Sequence, residues 1–484
     1  MTTDGTASIA FETCLPAPPG WAGGAGRLDL GDGAIAGLEP QSGAGGGMAL
    51  LPALCNAHDH GRGLRTVAFG AGDDMLEVWI AKLGLEPRVD PYLRAAVAFG
   101  RMALGGVGTL NHCHNTQDPD ALLDEARAVA RAAADVGVRV AFAVPIMGRN
   151  PVAYGDPGPL LARLPAPVAA RLRARRIAGF ATQLDLAEEI FGFASAHFQP
   201  QYGPVGPQWV DDATLAEIAA RAARHDRRIH MHLLETKAQA EWARAVHPGG
   251  LVAHLDRLGL LSERLTVAHG VWLDDADCAL LAARGVMVSV NTSSNLRLRS
   301  GIAPVARFLR HGLRFGMGLD GMAFDDDEDA LRELRLLWHL QRGFGGEEVL
   351  DRARLWQAVI EDGRAAILGP EAPGGLRSGA PADLLTLRLD RMRADTIPGR
   401  ATAEDLILTR ATRADISGLW VAGRRIVQDG ACLGIDLPAL EAALIAEARA
   451  TAGAVDADEI AATEAAYRAY HACGCHAVPA TGAA

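Results

Sequence analysis

Eight short apolar segments, each followed by a stretch with helical spacing, run through the chain from Leu51 onward. Segments of this length that alternate with helices predict the strands of a parallel sheet. Eight such units predict an α/β fold of the (β/α)8 barrel type. The segments are residues 51–60, 107–114, 138–145, 197–203, 228–234, 265–270, 286–291 and 315–320.

The two ends of the chain carry a different pattern. Short strand-like pieces, Gly26–Leu30 and Ala34–Leu38, precede the first long strand, and a strand and a hairpin occupy 376–387 and 419–430. We expect both ends to form one small composite β-sandwich into which the TIM barrel is inserted. The predicted division is 1–50, 51–370, 371–435 and a helical tail, 436–484, with helices near 438–452 and 456–470. The last residues, from His471 on, are expected to fray.

The composition excludes several classes of protein. A formal net charge of −11 gives the chain little attraction for nucleic acid or anionic lipid. No uninterrupted apolar run reaches the roughly 18 residues of a membrane span, and the N-terminus lacks the pattern of a signal peptide. The seven cysteines are scattered, so we expect no disulfide framework and a reducing, cytoplasmic location.

The polar residues at the strand ends are the strongest functional signal. In a barrel of this type, catalytic residues lie at the carboxyl ends of the strands. One histidine there is usually structural, but four of these strands end in residues of the types that commonly act as metal ligands. His58 and His60 are two apart, so they point the same way in a strand. The residues concerned are His58, His60, His230, His232, His269 and Asp320.

Taken in order, these motifs resemble the amidohydrolase superfamily from about residue 27 to residue 435. The resemblance is to the branch with one metal, which includes cytosine, guanine and S-adenosylhomocysteine deaminases and the s-triazine hydrolases. It is carried by PALCNAHDHGRGLR (52–65), HMHLLET (230–236), VAHGVW (267–272), NTSSNLRLRSGIAP (291–304), GMGLDG (316–321) and GAPADLL (379–385).

The resemblance implies a ligand set and a catalytic set. The metal ligands would be His58, His60, His232 and Asp320, because the fifth-strand ligand stands three residues before a glutamate, here Glu235. The catalytic residues would be Glu235, His269 and Asp320. One divalent metal ion is implied, with zinc expected and Fe2+ or Mn2+ as alternatives. Substrate-binding residues are not assigned.

This residue set suits hydrolysis. Three imidazoles, a carboxylate and water leave the metal an open position, and a metal lowers the pKa of its water from about 15.7 to about 7. Asp320 would accept a proton from the water with the help of His269, and Glu235 would protonate the substrate. Each residue also has a structural interpretation: a core histidine for His269, a helix start for Glu235 and a turn for Asp320.

Other clusters of metal-type residues receive a different interpretation. The pair His112 and His114 is expected behind the ligands or in the substrate pocket, and His230 in packing or behind the ligands. The run 325–329 predicts the solvated start of a helix over 330–340, and Cys473, Cys475 and His476 lack a partner pair for a metal site. The fourth-strand region contains no lysine that could bridge a second metal.

These expectations predict a metal-dependent hydrolase, an enzyme acting on C–N bonds. The favoured reaction is hydrolytic deamination of an amino-substituted nitrogen heterocycle: a purine, pterin, pyrimidine or s-triazine. The alternatives are hydrolysis of a cyclic amide, alkylamino or halide substituent, and an inactive barrel that serves as a binding protein. The partners would be a small heterocycle and, as in relatives, other copies of the chain. Loops at Gly270, 291–295 and 322–325 depart from the family pattern, so the sequence does not identify which ring the substrate contains.

Overall fold

The computed structural model describes residues 8–18, 21, 24–148, 153–175, 177–321 and 326–478. Five strands precede the barrel, and two of them, β3 and β4, coincide with the strand-like pieces predicted near the N-terminus. The strands are Ser8–Phe11 (β1), Thr13–Cys14 (β2), Gly26–Gly31 (β3), Ala34–Pro40 (β4) and Met48–Pro52 (β5).

The barrel strands follow, and each overlaps one of the eight predicted segments. They are Leu54–Asp59 (β6), Val107–Cys113 (β7), Arg139–Ile146 (β8), Phe198–Pro204 (β9), Ile229–Leu233 (β10), Leu265–His269 (β11), Met287–Val290 (β12) and Phe315–Met317 (β13). Of these, β8 and β9 end one residue beyond their predicted segments. Nearly all of their side chains are buried, as expected for parallel strands covered on both faces.

Helices connect the barrel strands and form the outer layer. They are Leu76–Lys82 (α1), Pro91–Leu104 (α2), Leu122–Val136 (α3), Gly158–Leu161 (α4), Ala166–Ala174 (α5), Phe180–Phe191 (α6), Asp212–His225 (α7), Lys237–Val246 (α8), Leu251–Arg257 (α9), Asp275–Ala283 (α10), Thr292–Arg297 (α11), Val305–His311 (α12), Ala330–Gln341 (α13), Arg352–Gln357 (α14) and Gly363–Leu368 (α15).

The eight barrel strands lie side by side in chain order in one parallel sheet. The first and last strands meet where the Asp320 N–H donates to the carbonyl of His58 at 2.9 Å. The Leu319 N–H donates to the side-chain oxygen of Asn56 at 2.8 Å. The sheet is therefore a nearly closed barrel, and the predicted (β/α)8 fold is confirmed.

The remaining strands form a second sheet that joins both ends of the chain. They are Leu384–Arg388 (β14), Ile416–Val421 (β15), Arg424–Gln428 (β16) and Ala431–Cys432 (β17). Together with β5 and β2 they make six strands in the order β17-β16-β15-β14-β5-β2. β14 pairs antiparallel with β5, and β15 and β16 form the predicted hairpin around Ala422 and Gly423. A small apolar core that includes Leu28, Leu50 and Leu384 joins it to the sheet of β1, β3 and β4.

Four further helices complete the chain: Leu389–Arg393 (α16), Ala403–Arg410 (α17), Leu437–Thr451 (α18) and Ala457–Ala472 (α19). The last two match the predicted tail helices. The expected fraying from His471 is wrong for the described part of the tail. His476 is buried, its Nε2 lies 2.9 Å from Oε2 of Glu241, and the Asp156 N–H donates to the carbonyl of Val478. Residues 479–484 lie outside the described residues.

The structure also bears on the cysteines and on membrane association. Cys473 and Cys475, which are separated by one residue, form a disulfide that the scattered spacing of the seven cysteines did not predict. The other five cysteines are unpaired, and four of them are buried. Within the described part of the chain, every helix is too short or too polar to span a bilayer.

Candidate active site

The carboxyl ends of four barrel strands bring the predicted site residues together. His58 and His60 come from the end of β6, His232 from β10 and His269 from β11, while Asp320 follows β13. His269 and Asp320 have φ values of 73° and 59°. Residues other than glycine rarely adopt such a backbone conformation, and backbone strain of this kind is concentrated at functional sites.

Three imidazoles and one carboxylate converge on a common point. Asp320 Oδ1 lies 3.0 Å from His58 Nε2 and 3.3 Å from His60 Nε2, and His60 Nε2 lies 3.4 Å from His232 Nε2. The opposite ring nitrogens are occupied, since Nδ1 of His60 contacts the Cys113 carbonyl at 3.0 Å and Nδ1 of His232 contacts the Val205 carbonyl at 2.8 Å.

Those carbonyls can only accept, so the Nδ1 atoms of His60 and His232 carry the protons and their Nε2 atoms present lone pairs. Two lone pairs that face each other, beside a carboxylate oxygen, cannot form hydrogen bonds among themselves. They form a donor set that fits a divalent cation. The residues present therefore fit the metal ion that the ligand prediction requires.

The histidine pKa values agree with this donor set. Burial, the larger cause, together with the neighbouring His269 lowers the pKa of His232 to about 4. Burial also holds the pKa values of His58 and His60 well below their ordinary value. At neutral pH all three rings are neutral, which is the form that binds metals.

His230 lies behind His58. Its Nε2 is 2.8 Å from Nδ1 of His58, and the two rings stack with their centroids 5.0 Å apart. Cys113 Sγ is also near, at 3.7 Å from the same Nδ1. Because His230 contacts the far nitrogen of His58, it is placed to orient that ring rather than to share the donor set of His60 and His232.

His269 is held between two acidic groups. Its Nδ1 is 2.9 Å from the side-chain oxygen of Asn295 and 3.2 Å from Nδ2 of Asn291, so two amides hold the ring. Nε2 lies 3.7 Å from Glu235 Oε2 and 3.9 Å from Asp320 Oδ2. The ring therefore stands beside both predicted proton carriers.

The two carboxylates have separate supports. The Ser294 hydroxyl donates to Asp320 Oδ2 at 2.5 Å, and the Ser300 hydroxyl donates to Glu235 Oε1 at 3.1 Å. Burial raises the pKa of Glu235 to about 7. A carboxyl group with this pKa can hold and release a proton near neutral pH, as general acid–base catalysis requires.

These groups form the floor of a cavity of about 470 Å3. Its walls include the indoles of Trp79 and Trp209, the side chain of Leu298 and the guanidinium of Arg62. Cavities of this size, with apolar walls and a few polar groups, are typical small-molecule sites. The cavity thus has room for a ring system directly above the donor set.

His112 and His114 do not line this cavity. The His112 ring lies behind Gly61, where a Cβ would come within 2.5 Å of Nδ1. His112 Nε2 is 3.1 Å from His114 Nδ1, and His114 Nε2 is 2.6 Å from Glu125 Oε2. The expectation that they lie behind the ligands agrees with this placement, and the one that they line the substrate pocket does not.

The acidic run differs from its prediction in one respect. Asp329 begins α13 as expected and accepts hydrogen bonds from the N–H groups of Leu331 and Arg332. It is fully buried, not solvated, because it also accepts from the Arg413 N–H at 2.9 Å. Asp325 and the departure at 322–325 lie outside the described residues.

Several residues of the site carried no role in the sequence interpretation. Asn295 and Ser294 belong to the segment after β12 that stood out only as a departure from the family pattern, although its polar residues were a usable signal. Ser300 and Arg62 had no such signal. Nothing in the spacing of the chain places Arg62 in a cavity or Ser300 against Glu235.

Comparison with known proteins identifies the family. The sequence model of the Amidohydrolase family matches residues 49–426, so the chain belongs to that family, whose members depend on metal ions. The 5'-deoxyadenosine deaminase of Methanothermobacter thermautotrophicus is 29% identical over 394 residues, 80% of this chain and 83% of that protein. The 8-oxoguanine deaminase of Pseudomonas aeruginosa is 35% identical over 264 residues, 54% of this chain and 56% of that protein.

Solved structures share the fold. An adenosine deaminase from Xanthomonas campestris with bound zinc superposes with a TM-score of 0.75 at 24% identity, over 94% of this chain and 98% of that chain. A triazine hydrolase variant gives 0.75 at 20% identity, over 91% and 99%. A guanine deaminase from C. acetobutylicum gives 0.70 at 14% identity, over 87% and 100%. The predicted family resemblance is confirmed.

Proposed function

We propose that this protein is a metal-dependent hydrolase that deaminates an amino-substituted nitrogen heterocycle. The observation that carries the proposal is the convergence of His58, His60, His232 and Asp320 on one point at the floor of a ring-sized cavity, with Glu235 and His269 beside them. The named relatives, which are deaminases of adenosine derivatives and of 8-oxoguanine, support the same reaction class.

In this proposal His58, His60, His232 and Asp320 hold one divalent ion, and zinc is the expected metal. Three nitrogen ligands and one carboxylate suit zinc, and Fe2+ and Mn2+ are the alternatives that share such ligands. When bound, the metal acts as a Lewis acid and lowers the pKa of water at the site. The buried neutral imidazoles accept it without first losing protons.

The proton path runs through the carboxylates. Asp320 accepts a proton from the attacking water through Oδ2, which is held by Ser294 and lies 3.9 Å from His269 Nε2. Glu235, which is partly protonated at neutral pH because burial raises its pKa to about 7, donates a proton to a ring nitrogen of the substrate. Glu235 then takes the proton of the hydroxyl group on the attacked carbon and passes it to the leaving amine, so that ammonia departs and the ring keeps an oxygen. The proton held by Asp320 finally returns to Glu235, which restores both groups.

His269 stabilises the carbon centre under attack. Its ring is held by Asn295, and its Nε2 faces the space between Glu235 and Asp320. A preorganised polar group at the point where charge develops lowers the activation barrier. In this role His269 positions the attacking water and the polarised substrate together.

Two further expectations become proposals. The division of the chain at residues 50, 370 and 435 is supported by the pairing of β14 with β5, which places strands from both ends in one sheet. We also propose that the protein forms homo-oligomers. The resemblance to relatives of this branch supports that proposal.

The first experiment is an assay of ammonium release from aminated purines, pterins, pyrimidines and s-triazines with zinc-loaded protein. Asp320→Asn, which keeps the shape of the side chain but removes its charge, is the control. We expect release from one ring class and none in the control. Release of chloride or of an alkylamine instead would favour the alternative leaving groups. Silence on every substrate, with metal bound in stoichiometric amount, would overturn the deaminase proposal.

A further inference from the structure

Arg62 is a buried cation at the wall of the candidate cavity. It lies two residues after His60, its side chain is 5% exposed, and the guanidinium carbon stands 5.4 Å above the ring of Trp79. Both residues line the cavity. The guanidinium makes no hydrogen bond to any residue within the described ranges.

Its neighbouring carboxylate is already engaged. Glu86 Oε1 lies 3.0 Å from Nη2 of Arg94, and Oε2 lies 3.3 Å from the same nitrogen. The distance from Arg62 Nη1 to Glu86 Oε2 is 3.7 Å, beyond a hydrogen bond. Two buried guanidiniums therefore share one carboxylate, and Arg94 holds the closer position.

Arg94 is fully engaged and Arg62 is not. Arg94 also donates to the backbone carbonyls of Arg62 and Asn115, at 3.2 and 2.8 Å. It is thus a structural group that fixes the loop after β6. A buried charge without hydrogen-bond partners is costly, and a ligand in the cavity that Arg62 lines can supply the partners that its donors lack among the described residues.

We propose that Arg62 recognises an anionic oxygen of the substrate, so that the cavity takes a heterocycle that carries either an ionised exocyclic oxygen or a carboxylate substituent. The planar fork of a guanidinium suits such an oxygen pair. Trp79, stacked against the same guanidinium, fixes its orientation. The inference rests on the proposed function, since it names the substrate class of the same cavity.

The test is equilibrium binding to zinc-loaded protein by calorimetry, with ligands that carry no exocyclic amino group. Urate, an anion at neutral pH, is compared with neutral hypoxanthine, and orotate is compared with uracil, which lacks only the carboxylate. The first pair tests recognition of an ionised exocyclic oxygen, and the second tests recognition of a carboxylate. In the wild-type protein we expect the anion of one pair to bind about tenfold tighter, or more, than its neutral partner.

Arg62→Met should bring the members of that pair to within about twofold of each other, and Arg62→Lys should keep part of the preference. Arg88→Met is the matched control, because it removes a positive charge at the cavity rim, where the Arg88 side chain is 72% exposed. We expect the preference to persist in this control. Circular dichroism and thermal unfolding establish folding, and Arg62→Gln replaces Arg62→Met if the latter does not fold.

Equal binding within both pairs in the wild-type protein would overturn the proposal, as would a preference that survives in the folded Arg62→Met or Arg62→Gln variant. A purely structural role for Arg62 would weaken both members of a pair alike and leave their ratio unchanged. The assay involves no deamination, so it is independent of ammonium release. If the anion preference depends on Arg62 but no ring releases ammonium, the deaminase proposal is overturned and the inference on Arg62 stands.

Discussion

At the scale of single residues, the site depends on which nitrogen of each imidazole is free. In His60 and His232 the carbonyls of Cys113 and Val205 fix the proton on Nδ1, and the amides of Asn291 and Asn295 contact Nδ1 of His269. Backbone carbonyls and side-chain amides therefore set the orientation of the rings. His112, also buried, contacts His114 instead and is directed away from the cavity.

This difference predicts the outcome of two histidine substitutions. His60→Asn should abolish stoichiometric zinc binding, because it removes a nitrogen from the convergent donor set. His112→Gln should retain zinc, because His112 lies behind Gly61 and outside that set. Circular dichroism verifies that the purified variants are folded, and elemental analysis measures the zinc content of each. Full zinc content in His60→Asn would contradict the assigned ligand set.

Glu235 can be tested separately from the metal. Glu235→Gln keeps the size of the side chain but cannot carry a proton, so we expect kcat/KM for ammonium release to fall by about 10^2- to 10^4-fold. The zinc content should not change, because Glu235 lies outside the donor set. The exposed Glu263→Gln is the matched control. Wild-type activity in Glu235→Gln would move the proton-carrier role to another group.

At the scale of elements, α13 supports the site from outside the barrel. Its Glu333 is fully buried and accepts a hydrogen bond from the Ser293 N–H at 3.0 Å, one residue before the serine that holds Asp320. Burial raises the pKa of Glu333 to about 7 from an ordinary value of 4.5. The helix thus carries an acidic group whose ionisation opposes folding.

The sign of the resulting pH dependence follows from proton binding. Between pH 4.5 and 7 the folded state binds the Glu333 proton more tightly than the unfolded state does, so stability falls as the pH rises through this window. Glu333→Gln removes this loss. Relative to the wild-type protein, we expect the variant to gain about 1–3 kcal/mol in unfolding free energy between pH 5 and pH 8.

Thermal or denaturant unfolding at the two pH values measures this difference. Glu347→Gln, an exposed substitution in the loop that follows the same helix, should follow the wild-type protein at both pH values. A Glu333→Gln variant whose stability runs parallel to that of the wild-type protein across the window would show that the ionisation of Glu333 does not oppose folding.

At the scale of the whole molecule, the donor set joins distant parts of the chain. His58 and Asp320 are brought together where the barrel closes, and Asp59 strengthens this closure by accepting from the Gly321 N–H at 2.9 Å. A metal held by His58, His60, His232 and Asp320 would therefore connect the first, fifth and eighth strands. Such a ligand binds the native state only, so it should stabilise the fold as a whole.

We expect chelation to lower the melting temperature of the zinc-loaded protein and zinc to restore it. With free metal at about 100 times Kd, linkage gives about 2.7 kcal/mol of stabilisation. Differential scanning fluorimetry with and without a chelator measures the shift. The Asp320→Asn variant should show a smaller one. Identical melting with and without metal, in protein that binds zinc stoichiometrically, would contradict a site that spans the barrel.

The barrel was predictable because its signal is local. Each strand is a short apolar run bounded by turns, and the order of strands in the sheet follows the order in the chain, so no long-range choice had to be made. The tail was harder. Nothing near His476 in sequence indicates that it packs on Glu241, more than two hundred residues away, and that contact holds the end of the chain in place.

The residue pattern alone was enough to recognise the kinds of residues at the strand ends. A parallel barrel collects those ends at one face, and this is why His58, His60, His269 and Asp320 stood out. The choice of His232 over His230, and of Glu235, came from the family resemblance. The tertiary structure decided how these groups are oriented and charged: the carbonyls that fix the rings, the burial that raises the pKa of Glu235, and the sharing of Glu86 by Arg62 and Arg94. These properties depend on contacts between segments remote in sequence, which no local pattern encodes.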